Sequence, residues 1–109
     1  MINWNELSQL SQLDIIDNIS MEKPVLIFKH STRCSISRMA LKKFEHECDL
    51  NTIECYFLDL LNHRDISNAI AARYNVQHQS PQLILIKDKK VIYHDSHDGI
   101  EARQLVNFI

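Results

Sequence analysis

Glycine is almost missing from this chain, with one residue in 109, and proline occurs only twice. A sequence so poor in both is not a linker-rich or disordered chain, and it suits compact regular structure. Charge of one sign is also lacking. Twelve basic and 14 acidic residues give a formal net charge of −2, with the two signs interspersed. Neither a basic face for nucleic acid nor a basic patch for anionic lipid is present, so both partners are disfavoured. The first twenty residues lack a basic start and an unbroken apolar run, which predicts no signal peptide, no membrane span and a cytoplasmic protein. Cysteine is scarce and odd in number, at three. That argues against a disulfide framework and for reduced thiols, at least one of them a candidate reactive group. What remains is a chain that is 45% hydrophobic and of a length that fits one domain, residues 1–109, around one core.

The apolar residues fall into a readable order. Lys23 to His30 is a short apolar run with proline only at its entrance, as in a strand buried on both faces. After Ser31-Thr32-Arg33-Cys34-Ser35 the period lengthens, and Ile36, Ala40, Phe44 and Cys48, with Met39 beside them, share one helical face. Ile53 to Asp59 reads as a second strand. Ile66, Ala69, Ile70 and Tyr74 give a further helix, with Asn62 as its expected cap. Strand, helix, strand, helix is the pattern of a parallel crossover unit. Gln82–Lys87 and Lys90–His94 flank the pair Asp88-Lys89 and predict a tight hairpin without the favoured glycine. Ala102, Leu105, Val106 and Ile109 predict a last α-helix, with Asp98 and Glu101 as a capping pair. Leu10, Leu13, Ile16 and Ile19 predict a leading helix that covers one edge of the sheet. The expected fold is α/β and thioredoxin-like: a mixed four-stranded sheet, helices on both faces, and an added N-terminal helix.

Chemistry concentrates where the first strand turns into a helix. Cys34 stands there, where free backbone N–H groups and the positive end of the helix dipole favour a thiolate. Lys29 and Arg33 add positive charge nearby, and a thiolate is the form that attacks disulfides. The plain alternative is that Cys34 is a small buried apolar residue, and the strand-to-helix position speaks against it. Three residues on, the partner position of a dithiol site holds Ser37. Its hydroxyl is suited to hydrogen-bond the thiolate but forms no internal disulfide, so the chemistry must be monothiol; an ordinary first-turn serine is the other reading. Cys48 lies fourteen residues along the same helix, roughly 21 Å away at about 1.5 Å per residue. A disulfide needs Cα atoms within about 7 Å, so the two cannot join in the folded chain. Cys55 lies early in the second strand, at the far end of the sheet from Cys34, and both read as core residues. Ser80-Pro81 precedes the hairpin strand, where a cis proline would let neighbouring backbone pair with an extended substrate; a plain turn is the alternative. His94 and His97 lack paired cysteines or carboxylates at ligand spacing, so no metal site is predicted.

The segment Ile27-Phe28-Lys29-His30-Ser31-Thr32-Arg33-Cys34-Ser35-Ile36-Ser37 closely resembles the active-site region of the monothiol bacilliredoxins, thioredoxin-like proteins linked to the low-molecular-weight thiol bacillithiol. The resemblance continues in Leu58-Asp59-Leu60 with Arg64, in His78-Gln79-Ser80-Pro81-Gln82 and in Ser96-His97. It implies a cytosolic protein in which Cys34 is the attacking cysteine, Pro81 is a cis proline facing it, and bacillithiol is removed from oxidised protein thiols. By the same resemblance no cofactor is bound. Bacillithiol is the cosubstrate, S-bacillithiolated proteins are the clients, and a separate reductase recycles bacillithiol disulfide. Bacillithiol carries two malate carboxylates, for which Lys29, Arg33 and the helix start would supply cations and donors, with Ser80 and Pro81 aligning its cysteinyl part and Asp98-Gly99 as a far wall. Two other functions fit the same residues. The Cys-x-x-Ser spacing is similar to that of monothiol glutaredoxins that carry iron–sulfur clusters, and a thioredoxin-like adaptor would need no reactive thiol.

Overall fold

The computed structural model describes residues 2–31, 33–48 and 52–108. Within them the chain forms β1 (Trp4–Glu6), α1 (Gln12–Ser20), β2 (Val25–His30), α2 (Ser35–Glu47), β3 (Glu54–Asp59), α3 (Arg64–Tyr74), β4 (Gln82–Lys87) and β5 (Lys90–Ser96). Short 3-10 helices follow at His97–Gly99 and Ala102–Asn107. One sheet takes the order β1-β3-β2-β4-β5, with β1, β3 and β2 parallel and β4 and β5 antiparallel. The central β2 is buried at all six positions, which is why its sequence is apolar without alternation.

Alternate residues of each strand feed two cores. On one face Val25, Ile27, Tyr56, Leu58, Ile84 and Ile86 pack with Leu13 and Ile16 of α1 and Ile66 and Ile70 of α3. On the other, Leu26, Phe28, Cys55, Leu83 and Leu85 pack with Phe44 and Cys48 at α2 and with Ala102 and Leu105. Since side chains alternate along a strand, Lys29 lies on the α3 face and His30 on the α2 face. This split decides the geometry of the site.

The hairpin forms as expected. Asp88 (φ 54°) and Lys89 (φ 65°) both take positive φ, the requirement of a two-residue turn matched to strand twist. Lysine is poorly suited to that conformation, and tertiary hydrogen bonds hold it: the Asp88 N–H donates to Ser20 O (2.8 Å) and the Lys89 N–H to Ser20 Oγ (2.9 Å).

Several expectations need correction. The sheet has five strands, because β1 adds to its edge beside β3, with Trp4 level with Cys55. Three residues, mostly exposed, carry no periodic signal. α1 therefore does not cover an edge; its buried Leu13 and Ile16 lie on the α3 face of the sheet. The predicted last α-helix is a 3-10 helix whose N-cap, Glu101, makes no side-chain cap bond, and Ile109 lies outside the described residues. Asn62 is not the cap of α3; His63 takes that place. On α2 the buried positions are Ser37 and Phe44, followed by Cys48, whereas Ile36 and Met39 are 56% and 71% exposed. The helical period was legible there, but its phase was set by Ser37, a polar residue.

Candidate functional site

Cys34 occupies the N-cap of α2 with extended backbone (φ −97°, ψ 120°) and is partly exposed. Its N–H donates to Ser31 O (3.1 Å), closing a turn out of β2, and its carbonyl accepts the first helical bond from the Arg38 N–H (3.0 Å). The thiol thus sits at the start of a 13-residue helix, where four N–H groups lack partners within the helix. Among the described residues no backbone N–H donates a cap bond to the sulfur. Cys48 and Cys55 are both 5% exposed, at the far end of α2 and at the start of β3. Burial pushes the Cys55 thiol up to about 12, with Cys48 and Glu54 adding to the rise. Neither is poised for exchange.

Ser37 differs from its expected role. Its side chain is fully buried, and Oγ lies 2.7 Å from His30 Nδ1 while accepting the Ser31 N–H at 3.1 Å. Among the described residues it makes no hydrogen bond to the Cys34 sulfur. The serine ties the loop that bears the nucleophile to the end of β2.

Lys29 is not a surface cation. It is 0% exposed on the α3 face, and Nζ donates to Ser67 O and to His78 Nδ1, both at 3.3 Å. Ser67 Oγ reaches the same imidazole nitrogen at 3.2 Å. Burial draws the Lys29 ammonium down to about 8 and also lowers His78, to which Lys29 and Arg64 add repulsion. Lys29 therefore braces the His78–Pro81 loop against β2 and α3.

The sign of its effect on stability follows from linkage. The unfolded chain binds the lysine proton more tightly than the folded one, so its destabilising effect is full below about pH 8 and fades toward 10.5. Lys29→Met should raise stability at pH 7 by about 1–3 kcal/mol, with the gain over the parent shrinking as pH approaches 10. Paired urea titrations at pH 7 and pH 10 measure this; a variant less stable than the parent at both would contradict it.

Arg33, beside Cys34, is exposed and makes no ion pair among the described residues. The Ser80–Pro81 bond is cis. Because Gln82 is in register with Lys29, Pro81 stands beside the end of β2 from which the Cys34 loop departs. Pro81 is buried and its carbonyl accepts the His97 N–H (3.1 Å), whereas the Ser80 backbone makes no hydrogen bond among the described residues. Two residues past Cys34 a groove of about 270 Å³ opens, lined by Ile36, Met39, Ala40, Lys43, His97 and Ile100.

Sequence reasoning gave no role to His30 or Lys43. The signal for His30 was a polar residue ending an otherwise apolar strand, in phase with Phe28 and so aimed at the helix of the Cys-x-x-Ser motif. Among the described residues no group of three histidine, cysteine or acidic side chains is arranged to hold a metal ion, and no helix is long and apolar enough to cross a membrane.

Comparison with known proteins gives a family and a fold. The family model described as monothiol bacilliredoxin BrxC matches residues 5–105. A solved structure described as a candidate oxidoreductase with a thioredoxin fold is 28% identical and superposes with a TM-score of 0.83, covering 95% of this chain and 91% of its own. Thioredoxin from Fasciola hepatica (TM-score 0.71, 19% identity, 94% and 93% covered) and that from Malassezia sympodialis (0.71, 18%, 98% and 88%) share the fold.

Proposed function

The chain belongs to the monothiol bacilliredoxin family, and on that premise we propose that it removes bacillithiol from S-bacillithiolated proteins through a mixed disulfide on Cys34. The Cys34 thiolate attacks the bacillithiol sulfur of the client's disulfide. One S–S bond forms, the original breaks, and the client leaves as a thiolate that takes up a proton. A second bacillithiol thiolate then attacks the bacillithiol sulfur held on Cys34, releasing bacillithiol disulfide and regenerating the Cys34 thiolate. Across the two steps one bacillithiol is consumed and one client thiol released while the mixed disulfide is replaced by bacillithiol disulfide, with no bound cofactor and no net electron left on the protein. A separate reductase would recycle the disulfide.

The observation that carries this reading is the division among the three cysteines. Cys34 is partly exposed at a helix start, while its two companions are buried at the opposite end of the sheet. A resolving thiol on the same chain is therefore out of reach, and the second thiol has to come from solution. The Ser80 backbone beside Pro81, without a hydrogen bond among the described residues, would hold the cysteinyl part of the substrate as an added strand does. Arg33, exposed beside Cys34, and Lys43, farther along α2 in the groove that opens past Cys34, would meet the malate carboxylates; Lys29, buried behind the sheet, would act on the Pro81 loop.

The test is one client protein carrying either bacillithiol or glutathione as its mixed disulfide. Bacillithiol is expected to leave faster. Because Arg33 is exposed, its charge-assisted contact is screened, and Arg33→Ala should reduce the preference by only about two- to fivefold. Equal rates for the two thiols would defeat this assignment and leave the fold and nucleophile standing.

A further inference from the structure

The four-residue active segment ends in a serine whose hydroxyl is already occupied. Ser37 Oγ has one hydrogen and two lone pairs, and two neighbours reach it: the Ser31 N–H at 3.1 Å and His30 Nδ1 at 2.7 Å. The first of these always donates. The direction of the second depends on the imidazole. When Nδ1 bears no proton, Ser37 must donate to it, and a directed chain runs from the loop through the helix to the strand: Ser31 N–H to Ser37 O–H to His30 Nδ1. When the ring is charged, Nδ1 donates instead. Ser37 Oγ then accepts from both sides and its own hydrogen is released. Cys34 is the N-cap of α2 and Ser37 its third residue, the two positions that face each other in a capping box.

We propose that His30 is a positioning residue for Cys34: through Ser37 it fixes the Ser31–Cys34 loop at the start of α2, and protonation of its ring turns the Ser37 hydroxyl toward the nucleophile. The inference rests on Cys34 being the reacting thiol of the proposed function.

The surroundings of the ring suit such a switch. His30 is 3% exposed, packs against Phe57 with ring centres 5.4 Å apart, and has Asp59 of β3 as its partner in register. Burial favours the neutral ring, against which Asp59 and the Ser37 backbone pull; from α2, Arg38 supports the neutral form and Glu45 the charged one. Glu6 of β1 shares with Glu45 and Asp59 the adjoining groove, lined also by Trp4, Leu41 and Phe57. The balance is thus set by burial against opposed charges on β3 and α2. With the single proton of the uncharged ring on Nε2, Ser37 donates to Nδ1 and acts as an anchor, and acidification, by adding the Nδ1 proton, releases it.

The experiment follows alkylation of Cys34 by iodoacetamide, read by intact mass, from pH 4.5 to 9 in a Cys48→Ala/Cys55→Ala background. The parent profile is expected to carry a second inflection on the acidic side of its main rise. His30→Asn offers Ser37 a carbonyl acceptor at a similar position but does not titrate. It should keep the pH 7.5 rate within about twofold and lose the acidic inflection. His30→Phe removes the acceptor and should slow alkylation at pH 7.5 by about five- to tenfold; Ser37→Ala should lose the inflection as well. An acidic inflection that survives in His30→Asn or in Ser37→Ala overturns the proposal. So does a His30→Phe protein with the parent's rate, and where that variant does not fold, the other two decide. A parent whose Cys34 does not alkylate overturns both this inference and the proposed function. A reactive Cys34 that shows no preference for bacillithiol overturns the function alone.

Discussion

Cys34→Ala is expected to abolish thiol exchange, with turnover falling at least about a thousandfold, while Cys48→Ala/Cys55→Ala keeps turnover within about threefold of the parent. The asymmetry follows from position. Exchange requires a thiolate with access to a disulfide sulfur, and without that nucleophile no later step can begin. Cys34 is partly exposed; the other two are buried in the α2-side core, at the opposite end of the sheet. The double variant loses two small buried side chains and some stability, so the comparison is made well below its unfolding temperature. Turnover assays on a bacillithiolated client, with folding checked by circular dichroism, measure both arms. Loss of turnover in a folded double variant would reveal a resolving route that the geometry leaves no room for.

The second large effect is structural. Phe28 is fully buried at the centre of β2, with Phe44 of α2 at 5.7 Å and Trp4 of β1 at 6.1 Å between ring centres. Trp4 in turn meets Phe44 and Phe57 and donates its indole N–H to Glu45 (2.7 Å). One ring thus seats the helix that presents Cys34 and the edge strand that closes the sheet. Phe28→Ala removes a large side chain from a site walled by the rigid sheet, and should cost about 3–5 kcal/mol. For a domain of this size that is a fall of roughly 12–20 °C in Tm. Calorimetry measures it directly, and a cost under about 1 kcal/mol would mean that α2 is held by something other than this aromatic cluster. Replacing Phe57, which is only partly buried, should cost less.

Much of this architecture was open to reading because burial leaves a local trace. β2 and β4 are apolar at nearly every position since both faces are covered, and α3 carries its stripe where it meets the sheet. The elements misread are those whose local trace is weak or misleading. β1 is three residues long and mostly exposed, so edge pairing rather than composition makes it a strand. Ile36 and Met39 are apolar yet outward, because the helix is turned by the buried hydrogen bonds of Ser37. No periodicity analysis would rank a serine above an isoleucine as a core residue.

The sequence by itself determined the crossover order, the placement of Cys34 between strand and helix, the monothiol character of the site and the distance that separates it from Cys48. Each of these follows from short-range rules: apolar period, residue spacing, rise per residue. Only the tertiary structure decided which side of the sheet each polar residue serves. Lys29 and His30 are neighbours in the chain, yet strand alternation sends one to α3 and the Pro81 loop and the other to α2 and Ser37. Their roles depend on what the opposite element brings to meet them, across 38 residues for Lys29 and Ser67 and 49 for Lys29 and His78. A hydrogen bond over such a separation exists only once the sheet has closed and both helices have packed, which is why no local pattern announces it.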